Sequence, residues 1–201
     1  MTAGTEGYER FVGEFIDCCR AMDFHSVCAD FKEFLPIAPA SVLDIGSGAG
    51  QNAAALSCMG YEVTAIEPMP EFLNAASNFY GKSSIRWIQS GLPGLEGLDA
   101  KVKKFDFVLV NAVWHHLNFV EQKHSANRIS KLVADSGCCA ISLRNGPAGM
   151  GTRVFPTSLN STIEQFQENG FYCIFNVQNQ PSVLAHKQDV TWARAVFKKI
   201  T

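Results

Sequence analysis

The sequence predicts an α/β fold: a doubly wound seven-stranded sheet, mostly parallel, with one antiparallel strand near the C-terminal end and a helical cap ahead of it. Three observations carry this. From residue 41 to residue 143, short apolar runs alternate with helix-period segments, the pattern of a parallel sheet covered on both faces. The last two runs, 171–178 and 189–200, follow one another with no helical segment between them, so they pair antiparallel. The first 35 residues carry helical periodicity only.

In order along the chain, Tyr8, Phe11, Val12, Phe15, Ile16 and Cys19 form one apolar helical stripe, and Val27, Phe31, Phe34 and Leu35 a shorter one. The prolines of "LPIAPA" end that region. "SVLDI" (41–45) reads as a buried strand. "QNAAALSCM" (51–59) reads as a helix closed by Gly60. Strand 61–67, helix 70–79 and strand 84–89 follow, then a weak helix over 94–103 and strand 105–111. Next come a helix over 120–135 and a strand over 137–143. "STIEQFQENG" reads as a helix with Ser161 and Glu164 as its capping box and Gly170 as its stop. The chain divides into a helical cap, 1–38, and a core, 39–201, within one domain.

Composition narrows the partners. A formal net charge of −2 supplies no basic field, which argues against duplex nucleic acid. No apolar run approaches the ~20 residues of a membrane span, and "MTAGTEGYERF" lacks the cationic-then-apolar order of a secretory signal. Seven cysteines without a C-x-x-C spacing point to no metal site. Most sit in apolar stretches as small core residues, and a reducing, cytoplasmic setting is the simplest account.

The segment that carries chemistry is "VLDIGSGAG", 42–50. Open parallel sheets bind ligands beyond the carboxyl ends of their strands, at the point where strand order reverses. The dinucleotide fingerprint there is G-x-G-x-x-G. Here Gly46, Gly48 and Gly50 are spaced G-x-G-x-G, Gln51 stands at the third-glycine position, and Asp44 precedes the first glycine by two residues. A pyrophosphate has no use for a carboxylate there, whereas a ligand carrying an ammonium and a sulfonium does.

Asp44-Ile45-Gly46-Ser47-Gly48-Ala49-Gly50 resembles motif I of the class I S-adenosylmethionine-dependent methyltransferases, and 41–145 resembles that Rossmann-like family in order and spacing. The resemblance implies S-adenosylmethionine as cofactor and S-adenosylhomocysteine as product. It implies that Glu67, ending the second strand, accepts hydrogen bonds from both ribose hydroxyls. "IQSGLPGL" (88–95) resembles the segment covering the adenine. Gln89 and Ser90 stand where many relatives carry an aspartate facing the adenine amino group, and Pro68 and Met69 are placed to pack on the ring. Gly46, Ser47, Gly48 and Gly50 let the backbone approach the methionine end. Asp44 either orients the turn or contacts the ammonium through water.

After the fourth strand, Asn111, which the resemblance places among the cofactor-binding residues, begins "NAVWHHL", where methyltransferases of planar nitrogens carry Asn/Asp-Pro-Pro-Tyr. The prolines and tyrosine are missing, which disfavours such acceptors. His115 and His116 are candidate bases or positioning groups. Arg144 and Arg153, in "SLRNGPAGMGTRVFP", suit a carboxylate or phosphate on the acceptor or else a surface ion pair. Tyr8, Arg10 and Phe11 head the first helix, either as a lid or in ordinary packing. His25, His124 and His186 default to surface or packing positions. The expected function is methyl transfer to a small-molecule acceptor by in-line displacement. The alternative is a non-catalytic S-adenosylmethionine/S-adenosylhomocysteine-binding module. An NAD-dependent oxidoreductase is disfavoured by the glycine spacing. The oligomeric state is left open.

Overall fold

A computed structural model describes residues 4–101, 103–184 and 187–200; His186 lies outside them. Seven strands form one sheet: β1 Ser41–Ile45, β2 Glu62–Glu67, β3 Arg86–Gln89, β4 Phe105–Val110, β5 Val133–Asn145, β6 Phe171–Pro181 and β7 Thr191–Lys199. Their order is β3-β2-β1-β4-β5-β7-β6. The pairs from β3 to β5 are parallel, and β7 runs antiparallel to both β5 and β6. Strand order reverses between β1 and β4, so the turns leaving these two strands face each other across one crevice.

Helices α1 Val12–Arg20, α2 Phe24–Val27, α3 Gln51–Cys58, α4 Pro70–Phe79, α5 Phe119–Leu132 and α6 Leu159–Gln167 complete the fold. Central strands bury alternate residues on opposite faces, which is why their sequences read as continuous apolar runs. Leu43, Val108 and Ile141 pack with Ile129 and Leu132 of α5 and Phe166 of α6. Val42, Phe107, Leu109 and Val196 pack with Ala53 and Leu56 of α3 and with Phe24 and Phe31 from the N-terminal segment.

Four local expectations are corrected. The described residues of 94–103 form turns and irregular backbone, not a helix. Leu95 and Gly97 take left-handed backbone (φ 51° and 84°), and the Arg128 guanidinium donates to the carbonyls of Gly94, Leu95 and Leu98, so those carbonyls face α5. Helix α5 ends at Leu132 and β5 starts at once. The Lys199 ammonium donates to the carbonyls of Ser130 and Val133 and closes the helix there. Ser158, not Ser161, caps α6: its hydroxyl accepts from the Ser161 amide at 3.3 Å. The first stripe breaks at Phe11, whose backbone leaves the helical region and whose ring is exposed. Tyr8–Arg10 is a separate 3-10 turn, and Arg10 lies on the surface beside Glu9. His25 and His124 are exposed. Of the seven cysteines, all free, Cys19, Cys28 and Cys139 are buried, Cys58 is exposed and the others are half-buried.

Candidate active site

The glycine turn is stitched to the neighbouring strand before any ligand is considered. The amides of Gly46 and Ser47 both donate to the Ile66 carbonyl, at 2.8 and 2.9 Å. Gly46, Gly48 and Gly50 all have positive φ (71°, 55° and 88°), a conformation costly for residues with a Cβ. Their surroundings differ. A Cβ on Gly46 would fall inside the envelope of Val113 Cγ2, and one on Gly48 would approach Phe15 Cε1 at 3.2 Å. One on Gly50 would stand 2.7 Å from Trp87 Cη2 and 2.9 Å from Ala76 Cβ. Gly46, Ser47 and Gly48 line the crevice. Gly50 instead turns toward α4 and β3, so its glycine requirement is one of packing.

Glu67 is buried at the end of β2 and holds the turn from the other side. Its Oε2 accepts from the Gly48 amide and its Oε1 from the Met69 amide, each at 2.9 Å. Each oxygen keeps a lone pair for a ligand hydroxyl. Burial pushes its pKa up to about 7, against the pull of those two amides. Asp44 is 1% exposed and lies beneath the turn, not on the crevice wall. Its Oδ2 has no partner. Burial first, then the Glu67 charge, push its pKa up to about 7, while the Ala53 amide draws it down. That position suits the turn-orienting role, not a direct ligand contact.

A pH effect follows from Asp44. Its folded-state pKa is raised from 3.8 to about 7, so the folded chain binds the extra proton. The stability this gives is fully present below the ordinary value and is lost as pH rises through about 7. The buried histidines act in the opposite sense, but equally in wild type and variant. Asp44→Asn should therefore shrink the fall in ligand-free stability between pH of about 5 and about 8, measured by urea unfolding. A variant that tracks wild type at both pH values would place the carboxyl in contact with water.

Two cavities meet at Tyr8, Phe15, Gly46, Gly48, Ala112 and His116. The first runs past Glu67, Pro68 and Met69 to Phe72, Gly91 and Leu92. Gln89 and Ser90 lie outside it. Gln89 is exposed and donates to the Pro68 carbonyl at 3.4 Å. Ser90 is buried with its hydroxyl directed to Glu96 Oε2 at 3.3 Å. The chain turns inward only after them, so Gly91 and Leu92 take the wall the sequence reading assigned to Gln89 and Ser90.

The second cavity passes Ser47, Asn111 and His115 to Arg144 and Trp192. Asn111 is fixed through Ser142, whose hydroxyl donates to Asn111 Oδ1 at 2.8 Å and accepts from the Ala112 amide at 2.7 Å. His116 Nδ1 lies 2.7 Å from the Arg153 carbonyl. A carbonyl only accepts, so Nδ1 carries the proton and Nε2 accepts from the Tyr8 hydroxyl at 3.1 Å. Burial pushes Tyr8 up to about 12, keeping it a phenol. Burial also lowers the pKa of His116 and, more strongly, of His115, whose Nδ1 has no partner. Both rings are neutral bases.

The two loop arginines part company. Arg153 is taken up by Glu121 in a bidentate pair (2.9 Å to each oxygen), by Glu6 at 3.5 Å and by the His116 carbonyl. It ties the N-terminal segment to α5 and does not face the cavity. Arg144 is 7% exposed. It donates to the carbonyls of Pro147 (2.6 Å) and Gly146 (3.4 Å) and has no ion pair among the described residues. The sequence reading missed Lys187, Trp192 and Arg194, which also line this cavity. Trp192 stands opposite Arg144, and Arg194 opposite Ser142, across the β5–β7 ladder. The available signal was a large ring and a cation alternating with small residues in "TWARAVF".

Residues 43–141 match a family model described as a methyltransferase domain. An uncharacterized methyltransferase of Mycobacterium tuberculosis is 31% identical over 118 residues, which cover 56% of this chain and 57% of that protein. A ubiquinone biosynthesis O-methyltransferase of Methylocella silvestris is 29% identical over 131 residues, covering 65% of this chain and 44% of that one. The chain thus spans roughly half the length of these curated relatives. Among solved structures, the N-methyltransferase NodS of Bradyrhizobium japonicum, in complex with S-adenosylhomocysteine, superposes with a TM-score of 0.74 at 17% identity. That superposition covers 98% of this chain and 99% of that one.

Proposed function

We propose that this chain is a class I S-adenosylmethionine-dependent methyltransferase that transfers the methyl group of S-adenosylmethionine to a small-molecule acceptor. The carrying observation is the pair of cavities joined over the glycine turn. The first suits the nucleoside, with its ribose at Glu67 and its adenine against Met69 and Leu92. The sulfonium then falls near Gly46 and Gly48, where the second cavity begins. Tyr8, Met150, Leu184 and Trp192 are among the residues that line that cavity, a concave surface suited to a small molecule.

Transfer is an in-line displacement. A lone pair on the acceptor forms the new bond to the methyl carbon as the carbon–sulfur bond breaks, and its electron pair stays on sulfur as a neutral thioether. Holding the acceptor on that axis is much of the catalysis. An acceptor that carries a proton releases it to the Tyr8 oxygen, while Tyr8's own proton passes to His116 Nε2. His115 lines the cavity as a second neutral imidazole.

Release of S-adenosylhomocysteine in the presence of candidate acceptors tests the activity. Cofactor binding without release under every acceptor would favour the binding-module alternative. Tyr8→Phe keeps the ring packing but removes the donor to His116. For a proton-bearing acceptor, turnover should fall about 100-fold, the lower range for positioned acid–base groups, with cofactor affinity within a few-fold of wild type. Wild-type turnover should rise with pH about a midpoint below 6.5, the ordinary histidine value, and the variant should lose that rise. An unchanged rate in Tyr8→Phe would remove the relay.

A further inference from the structure

We infer that the acceptor is a small organic carboxylate, its charge held by Arg144 and Arg194 and its apolar body lying against Trp192. This rests on the methyl-transfer reading above and assigns the chemistry of the second cavity. Arg144 and Arg194 are both nearly buried, at 7% and 8% exposed, and a buried guanidinium without a full complement of acceptors is costly. Among the described residues, Arg144 is held by two carbonyls and no carboxylate. Arg194 touches Asp30 at 3.4 Å through one nitrogen, and its buried Nε has no partner. Lys187 adds a third cation to the lining of the same cavity.

The strand register explains why these groups converge. Arg144 pairs with Trp192 and Ser142 with Arg194, so Arg144, Trp192 and Arg194 share one face of the sheet. Arg144 and Arg194 are diagonal neighbours, a spacing of about 7–8 Å between such positions. One anion can sit between them. Asp44, in β1 beneath the glycine turn, and Glu67, at the end of β2, belong to the donor side, and Asp30 is the acid that meets this wall. Asp30 offsets part of the Arg194 charge, and a planar guanidinium fork matches the two oxygens of a carboxylate; the phosphate arm of the test below separates the two anions. Trp192, Leu184 and Met150 add apolar surface to the same cavity. The carboxylate is a handle. The atom that receives the methyl group lies nearer Gly46 and His116, where the cavities meet.

The test is calorimetric titration of the protein, saturated with S-adenosylhomocysteine, with benzoate and 3-phenylpropanoate, with their amides, and with phenyl phosphate. The acids should bind about 10- to 100-fold more tightly than the amides, the range for hydrogen bonds to a charged group. Arg144→Met and Arg194→Met should each erase most of that preference. Arg144→Lys, which keeps the charge and loses the fork, should retain part of it. Amides binding as well as acids, acids failing to bind, or phenyl phosphate outcompeting both acids would each overturn the inference. The heat of S-adenosylhomocysteine binding is recorded first. Its absence would mark failure of the methyl-transfer reading itself, a result separate from the acid–amide comparison.

Discussion

Glu67→Ala should lower S-adenosylhomocysteine affinity about 100-fold or more. Two hydrogen bonds from ribose hydroxyls to a carboxylate are worth about 1.5–3 kcal/mol each, and every 1.4 kcal/mol is about tenfold. The structure adds a second loss. Glu67 also receives the amides of Gly48 and Met69, so its removal frees the turn that forms the floor of the crevice. Two buried donors left without acceptors cost about 1–3 kcal/mol each, partly offset because a buried carboxyl no longer needs to be accommodated. A net loss of about 2 kcal/mol in urea unfolding is expected. Glu67→Gln keeps the volume and one acceptor but turns an amide donor toward a backbone N–H, so it should fall between Ala and wild type in both measurements. Unchanged affinity in a folded Glu67→Ala protein would remove the ribose from this site.

Gly46→Val should leave no measurable cofactor binding. Gly46 has φ of 71°, where a residue with a Cβ costs about 1–2 kcal/mol and a β-branched one more. Its side chain would also collide with Val113 Cγ2, and overpacking costs about 1–3 kcal/mol. The total, about 3 kcal/mol, is a large share of an ordinary domain's stability. Since Gly46 borders both cavities, the displaced loop would close their junction. Gly46→Ala combined with Val113→Ala relieves the collision and separates folding from binding. It should recover most of the stability and still bind more weakly than wild type. Wild-type affinity in a folded Gly46→Val protein would move the ligand elsewhere. Gly48 has more room, with Phe15 at 3.2 Å from a built Cβ, and is the milder site.

The sheet was legible in the sequence because its strands are buried on both faces and its helices on one, so the hydrophobic period changes at each boundary. Ser41–Ile45 and Pro70–Phe79 fall where the pattern puts them. What was illegible depended on partners distant in sequence. Residues 94–98 are turns whose carbonyls at Gly94, Leu95 and Leu98 are taken by Arg128, some thirty residues away. The end of α5 depends on Lys199, 66 and 69 residues from the carbonyls it closes. The site divides the same way. The positions of Gly46, Gly48 and Glu67 follow from a turn and the end of the next strand, which is local information. Arg153 and Arg144 looked equivalent in one glycine-rich loop. Only the fold shows that Glu121 claims the first and that, among the described residues, no carboxylate claims the second. Trp192 and Arg194 enter the cavity through an antiparallel register that no local pattern specifies.

The strand that runs backwards has a consequence for how this chain can diverge. Residues 43–141 hold the glycine turn, Glu67 and the histidines. Tyr8, Arg144, Lys187, Trp192 and Arg194 all lie in the flanks, and β7 carries the last two back to the crevice beside β5. On the proposed reading, the donor site lies in the middle of the polypeptide and most of the anion-binding wall of the acceptor cavity lies in its flanks. Mutations accumulating in the flanks can re-specify the acceptor while the donor half is inherited intact, so two descendants can share a recognisable middle and act on unrelated compounds.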